Sequence, residues 1–152
     1  MDIMDKKILR EMQRNGRISN IELADKVGLS PTPCLRRVKQ LEALGIIDRY
    51  ATLLKPEALG YDLQVYVAIE MDRHTPDRFS SFEKAIRNMD EIMECNIVTG
   101  QSADYLLKVF VKDMRDYEHF LLDRLTKIEG VSGVHSSFVL RKIVDKIELP
   151  LN

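Results

Sequence analysis

Between Ser19 and Gly45 runs SNIELADKVGLSPTPCLRRVKQLEALG, two amphipathic stretches separated by only Gly28-Leu29-Ser30. A turn that short forces the two helices to cross steeply and pack on one another, which constrains the fold more than any other segment does. Ser19 opens the first stretch, and Glu22 three residues later completes a capping box for the free N–H groups of the first turn. Ile21, Ala24 and Val27 form its expected buried stripe, with Leu23 at the border, and the small Ala24 lets a neighbouring helix approach. Gly28 suits the left-handed conformation that ends a helix. Ser30-Pro31 then serves as cap and first helical residue, with Leu29 placed to staple against Cys34. Pro33 disfavours helical geometry at Thr32, so Thr32-Pro33 is the other possible start.

In this second stretch Leu35, Val38, Leu41, Glu42 and Gly45 share one side at about 100° per residue. Thr32, Pro33, Arg36 and Gln40 face the other way, with Arg37 and Lys39 flanking them, and no acidic residue occurs from Ser30 to Gln40. Such a helix offers Arg36 and Gln40 to base edges while Ser30, Thr32, Arg37 and Lys39 hold phosphates. The competing reading is a solvated charged face on a three-helix bundle. The short glycine turn and the missing acids favour helix-turn-helix. A preceding helix over Asp2–Arg14, striped by Met4, Ile8 and Met12 with Leu9 beside them, completes the unit before Asn15-Gly16.

Charge is divided along the chain. Residues 1–50 carry ten Lys and Arg against seven Asp and Glu, and residues 51–152 carry thirteen against seventeen. A mildly basic front half on an acidic back half suits a nucleic-acid-facing module on a body that meets something else, whereas the overall net charge of −1 argues against coating nucleic acid by bulk charge. No apolar run nears the ~20 residues that span a bilayer, which gives a cytoplasmic expectation without membrane attachment. Cys34 and Cys95 form no C-x-x-C pair, so neither zinc nor a disulfide framework is indicated. His74, His119 and His135 are scattered without a zinc-protease, phosphate-loop or nucleophile motif, and the chain is read as no enzyme.

From Ile46 to Leu54 the chain is β-prone, as a small wing or a connecting strand, and Lys55-Pro56-Glu57-Ala58-Leu59-Gly60 interrupts it. Strict alternation over Tyr61–Met71 then marks a half-buried strand. A helix capped by Thr75 or Asp77 and striped by Phe79, Phe82, Ile86 and Met89 follows, then strands over Ile92–Thr99 and Asp104–Val111. A second helix, striped by Tyr117, Leu121, Leu125 and Ile128, leads to a last strand over Val131–Ile143. The order βαββαβ is the ferredoxin-like plan, with both helices on one face of an antiparallel sheet. The expected fold class is therefore α+β: a three-helix, winged-helix-like helix-turn-helix domain at 1–47, a hinge at 48–60 and a ferredoxin-like domain at 61–152. The far sheet face would carry Tyr66, Ala68, Leu106 and Phe110, too apolar for open water, and packing on a second copy would cover it. A two-fold dimer would read a near-palindrome with half-sites about 10–10.5 bp apart or a multiple of that.

With GRISNIELADKVGLSPTPCLRRV at 16–38, the hinge and GQSADYLL at 100–107 in place, nearly the whole chain resembles the Lrp/AsnC, or feast/famine, family of transcription regulators. The SPTPCL run resembles the leucine-responsive members especially. The resemblance implies DNA binding regulated by a small amino acid, leucine or methionine first, and octamers built from four dimers. A free amino acid needs N–H or hydroxyl donors for its carboxylate and an acidic or carbonyl acceptor for its ammonium. The loop Thr99-Gly100-Gln101-Ser102-Ala103-Asp104 has both, though by its residues alone it reads first as an ordinary hairpin turn with Asp104 solvated or capping. The resemblance assigns Gly100, Gln101 and Asp104 to the effector; Thr99 and Ser102 join them as candidates from the same loop, with Ser136 and Ser137 as weaker ones. Two readings of other classes stay open: an amino-acid-binding subunit that tunes an enzyme, and a DNA architectural protein of low specificity.

Overall fold

Asp2 caps α1 (Ile3–Arg14) through a reciprocal pair of 2.8 Å bonds, the Asp5 N–H donating to Asp2 and the Asp2 N–H to Asp5. Ser19 and Glu22 form the same box at α2 (Asn20–Val27), and Gly28 ends that helix at φ 76°. α3 (Pro31–Ala43) begins at Pro31, whose missing N–H costs nothing in a first turn that has no partner for it. The computed structural model describes residues 1–100 and 103–151 and forms two units: Met1–Leu53 with the segment from Ile143, and Leu54–Lys142.

In the first unit the three helices enclose Ile8, Leu9, Leu23, Ala24, Val27, Cys34, Val38 and Leu41. Two stripes differ from expectation. Ile21 is 65% exposed and Leu23 is buried in its place, because Leu23, Ala24 and Val27 form the arc wedged against the neighbouring helices. In α3 the buried line is Cys34–Val38–Leu41, and Leu35 is 42% exposed. That line is apolar over two full turns, whereas the Leu35 side ends in Glu42 and Gly45.

The tail belongs to this unit as well, although 61–152 is expected to be one domain. Gln13 bonds both main-chain groups of Leu149, accepting its N–H at 2.7 Å and donating to its carbonyl at 3.2 Å. Arg10 donates to the Leu151 carbonyl, and the Leu151 side chain packs on the helical core. The β-prone stretch Ile46–Leu54 forms neither wing nor strand among the described residues. A strand needs a ladder partner, and among the described residues no other segment pairs with this one. Tyr50 instead donates to Glu42 at 2.7 Å; burial, then that carboxylate, push the phenol up to about 12.

The second unit follows βαββαβ. Its elements are β1 (Leu63–Met71), α4 (Pro76–Ile86), β2 (Ile92–Ile97), β3 (Tyr105–Val111), α5 (Met114–His119) and β4 (Val131–Phe138). Beyond α5 the chain continues as a π turn at Phe120–Arg124 and a 3-10 turn at Leu125–Lys127. The strand order is β2-β3-β1-β4, antiparallel throughout. β4, expected to reach Ile143, stops at Phe138 opposite Val65, because β1 begins at Leu63 and leaves little to pair with beyond.

One sheet face is the core: Val65, Val67, Ile69, Tyr105, Leu107, Val109 and Val111 pack against Phe82, Ile86, Tyr117, Phe120 and Leu125. Burying each such side chain stabilises the unit by ~1.5–3 kcal/mol relative to exposure. The other face presents Tyr66, 39% exposed, and Leu106, 36% exposed, beside half-buried Ala68 and Phe110.

Candidate nucleic-acid interface and effector loop

Burial of Cys34, Val38 and Leu41 sets the rotation of α3 and so decides which cations face outward. Stepping about 100° per residue from that line places Thr32, Arg36 and Lys39 at the centre of the exposed face, with Gln40 beside them. All four are exposed, as is Ser30, and Pro33 is half-buried. Among the described residues neither Arg36 nor Lys39 has a carboxylate within ion-pair distance. The face can therefore meet phosphates and base edges without first breaking an internal pair.

Arg37, expected to hold phosphate, is bonded within the helical unit to two carboxylates. It sits beside Val38 on the α1 side, with its Nη1 at 2.7 Å from Asp5 Oδ1 and 2.8 Å from Asp2 Oδ2. The Asp5 bond and then the Asp2 bond raise the guanidinium pKa, while the Asp5 N–H and then Arg37 hold the Asp2 carboxyl below the usual range. Asp2-x-x-Asp5 has capping spacing that sequence can show; its convergence on a side chain 32 residues away exists only once α1 crosses α3.

The turn between the helices is tied in two places. Asn20 Nδ2 donates to the Pro31 carbonyl at 2.8 Å, and Leu29 packs on the cluster containing Cys34. Ser30 caps α3 by backbone geometry alone, without a side-chain bond.

Of the expected effector loop, Thr99, Gly100 and Asp104 are described, while Gln101 and Ser102 lie outside the described residues. Asp104 is tightly engaged: its Oδ2 accepts the Met71 N–H at 2.7 Å and its Oδ1 lies 2.8 Å from His74 Nε2. His74 was missed by sequence reasoning, since nothing in its spacing joins it to a loop about thirty residues on; its ring also meets Phe79 edge-on at 5.9 Å. Beside the base of the loop, where Ile97 pairs with Tyr105, lies a groove of about 360 Å³ lined by Glu83, Ile86, Arg87, Cys95, Ile97 and Tyr105. Tyr105 donates to Glu83 at 3.0 Å, and burial, then that bond, raise its pKa.

Ser136 and Ser137 separate. Ser136 points inward and hydrogen-bonds the Tyr117 hydroxyl, whereas Ser137 is exposed opposite Tyr66. Strand alternation forbids both from lining one pocket in a single chain. The remaining histidines face single carboxylates, His119 at 3.1 Å from Asp123 and His135 at 3.2 Å from Glu70. No three His, Cys, Asp or Glu side chains among the described residues converge as a metal site requires, and none of the described helices is long and apolar enough to cross a membrane.

Comparison with known proteins agrees with this geometry in both units. Residues 64–149 match the Lrp/AsnC ligand binding domain, and residues 1–48 match a winged helix-turn-helix DNA-binding domain. The chain belongs to the Lrp/AsnC family. Among its relatives, the leucine-responsive regulatory protein of Haemophilus influenzae is 48% identical over 143 residues, covering 94% of this chain and 86% of the relative. That of Escherichia coli K12 is 44% identical, over 94% and 87%. A transcriptional regulator from Neisseria meningitidis, solved as a complex with L-methionine, superimposes with a TM-score of 0.96 at 44% identity, over 100% of this chain and 97% of that one. The protein is thus a DNA-binding transcription regulator with an Lrp-type amino-acid-binding domain, on the ferredoxin-like plan expected from its alternating elements.

Proposed function

We propose that the protein binds near-palindromic promoter DNA as a homodimer, through Thr32, Arg36, Lys39 and Gln40 of each α3, and that leucine or methionine adjusts that binding. The acid-free outer face of α3 is the observation that carries the DNA contacts. Ser30 and Pro33 border it, and Arg37 is left out because its charge is already satisfied.

The effector reading rests on the loop Thr99–Asp104 and the groove at its base. Ile86 and Ile97 of the groove offer apolar walls for an aliphatic side chain, and the remaining lone pairs of Asp104, in the loop beside it, offer an acceptor for the ammonium. The relatives named for leucine response and the neighbour solved with L-methionine support an aliphatic amino acid. Pairing of the outer sheet faces would bury Tyr66 and Leu106, and assembly of four dimers into an octamer, as the family resemblance implies, would bring effector loops together. A ligand that prefers one dimer arrangement would then reposition the DNA-binding heads.

The test is a fluorescence-anisotropy titration of genomic fragments selected by the protein, against scrambled DNA, across salt and with or without leucine or methionine. A regulator binds the selected fragments more tightly, and Arg36→Ala lowers that affinity. Equal affinity for all DNA would instead identify an architectural protein, and no DNA binding an enzyme-tuning subunit. Cytoplasmic residence and the absence of enzymatic activity follow from this reading.

A further inference from the structure

Arg36 and Arg37 are chemically identical neighbours with opposite surroundings. Arg36 is exposed with no carboxylate in ion-pair range among the described residues, whereas Arg37 is 30% exposed in its side chain and bonded to both Asp2 and Asp5. Each of those carboxylates spends one oxygen on the α1 cap and the other on Arg37. The first turn of α1 and the middle of α3 are therefore joined by one continuous network.

This arrangement bears on DNA in two ways. Two carboxylates over-neutralise one guanidinium, so the cluster has no net attraction for phosphate, and a phosphate that claimed Arg37 would have to displace both. The network also grips α3 on its flank, one residue from the outward-facing Arg36, so the torsional setting of α3 and the aim of Arg36 are coupled.

Building on the DNA-binding reading above, we propose that Arg37 is a positioning residue, held by Asp2 and Asp5, that sets the rotation of the recognition helix and touches no phosphate itself. The acidic pair supports DNA binding despite its charge.

The experiment measures specific and non-specific affinity of the full-length protein across salt for the unmodified chain, Arg36→Gln, Arg37→Gln, Arg37→Lys and Asp5→Asn. For Arg36→Gln the slope of log affinity against log salt flattens by about 0.9 for each phosphate that the variant no longer neutralises. For Arg37→Gln the slope stays at its unmodified value while the ratio of specific to non-specific affinity falls. Arg37→Lys, which keeps a charge for one carboxylate, recovers part of that ratio. Asp5→Asn lowers specific affinity although it removes a negative charge beside the DNA face. It leaves Asp2 on Arg37, so it remains informative if Arg37→Gln does not fold.

A flattened slope in Arg37→Gln would make Arg37 a phosphate ligand. A raised affinity in Asp5→Asn would make the acids mere repulsion, and an unchanged specificity ratio in folded Arg37→Gln would reduce the network to a stability device. Each overturns the proposal. Failure of the unmodified protein to prefer any DNA would instead overturn the DNA-binding reading.

Discussion

Gln13 of α1 grips both the N–H and the carbonyl of Leu149, 136 residues further along the chain. The tail from Ile143 is thereby held on the helical unit, while the residues just before it, through Lys142, belong to the sheet-bearing unit. The chain therefore passes between its two units twice, once after Leu53 and once before Ile143.

Gln13→Ala removes two exposed hydrogen bonds, which together stabilise the docked tail by ~1 kcal/mol. Amide exchange at Leu149 is expected to quicken about fivefold, and truncation after Lys142 to quicken exchange in α1 as well through loss of Leu151 packing. Unaltered exchange in α1 after truncation would show that the tail does not support the head.

Asp104 joins the end of β1 to His74 and borders the proposed effector site. Asp104→Ala leaves the Met71 N–H without its acceptor and removes the carboxylate offered to an ammonium, so calorimetry with leucine and methionine should show binding weakened by about tenfold or more. His74→Ala keeps the Met71 bond and frees one Asp104 oxygen, and a smaller change is expected. Equal affinity in Asp104→Ala and the unmodified protein would place the effector elsewhere.

Gly28 occupies φ 76° with nothing within 4 Å of where a Cβ would stand. Gly28→Ala therefore isolates backbone conformation from crowding, and the left-handed setting costs a residue with a Cβ ~1–2 kcal/mol. A lowered melting temperature of the helical unit, with DNA affinity preserved below the transition, is the expected result.

In the folded protein the Asp2 carboxyl is held below the usual range by the Asp5 N–H first and Arg37 second. A depressed carboxylate contributes stability above its unfolded value of about 3.9 and loses it as pH falls through the lower folded value. Asp2→Asn should therefore lower the melting temperature near neutral pH, and the gap from the unmodified protein should close below about pH 4. A gap that persists at about pH 2 would assign the effect to the lost cap geometry instead of the charge.

Much of the architecture was legible because it depends on local spacing. The Ser19–Glu22 box, Gly28 and the alternation of Leu63–Met71 specify their own backbone shapes, since caps, left-handed turns and strand periodicity involve residues within a few positions of one another. The βαββαβ order followed from those pieces. The outward setting of Thr32, Arg36 and Gln40 was also readable, because burying the apolar side of a helix leaves the polar and cationic line opposite it in solvent.

What tertiary structure alone decided are the encounters between distant segments. Leu35 yielded the buried line to Cys34, Arg37 turned to Asp2 and Asp5, and Ile46–Leu54 found no strand to pair with. Asp104 met His74, Ser136 met Tyr117, and the tail met Gln13. Periodicity states which side of an element is apolar, but a charged side chain at the edge of that side has two destinations, solvent or a partner. Only the packing of one element on another brings the partner within hydrogen-bond reach.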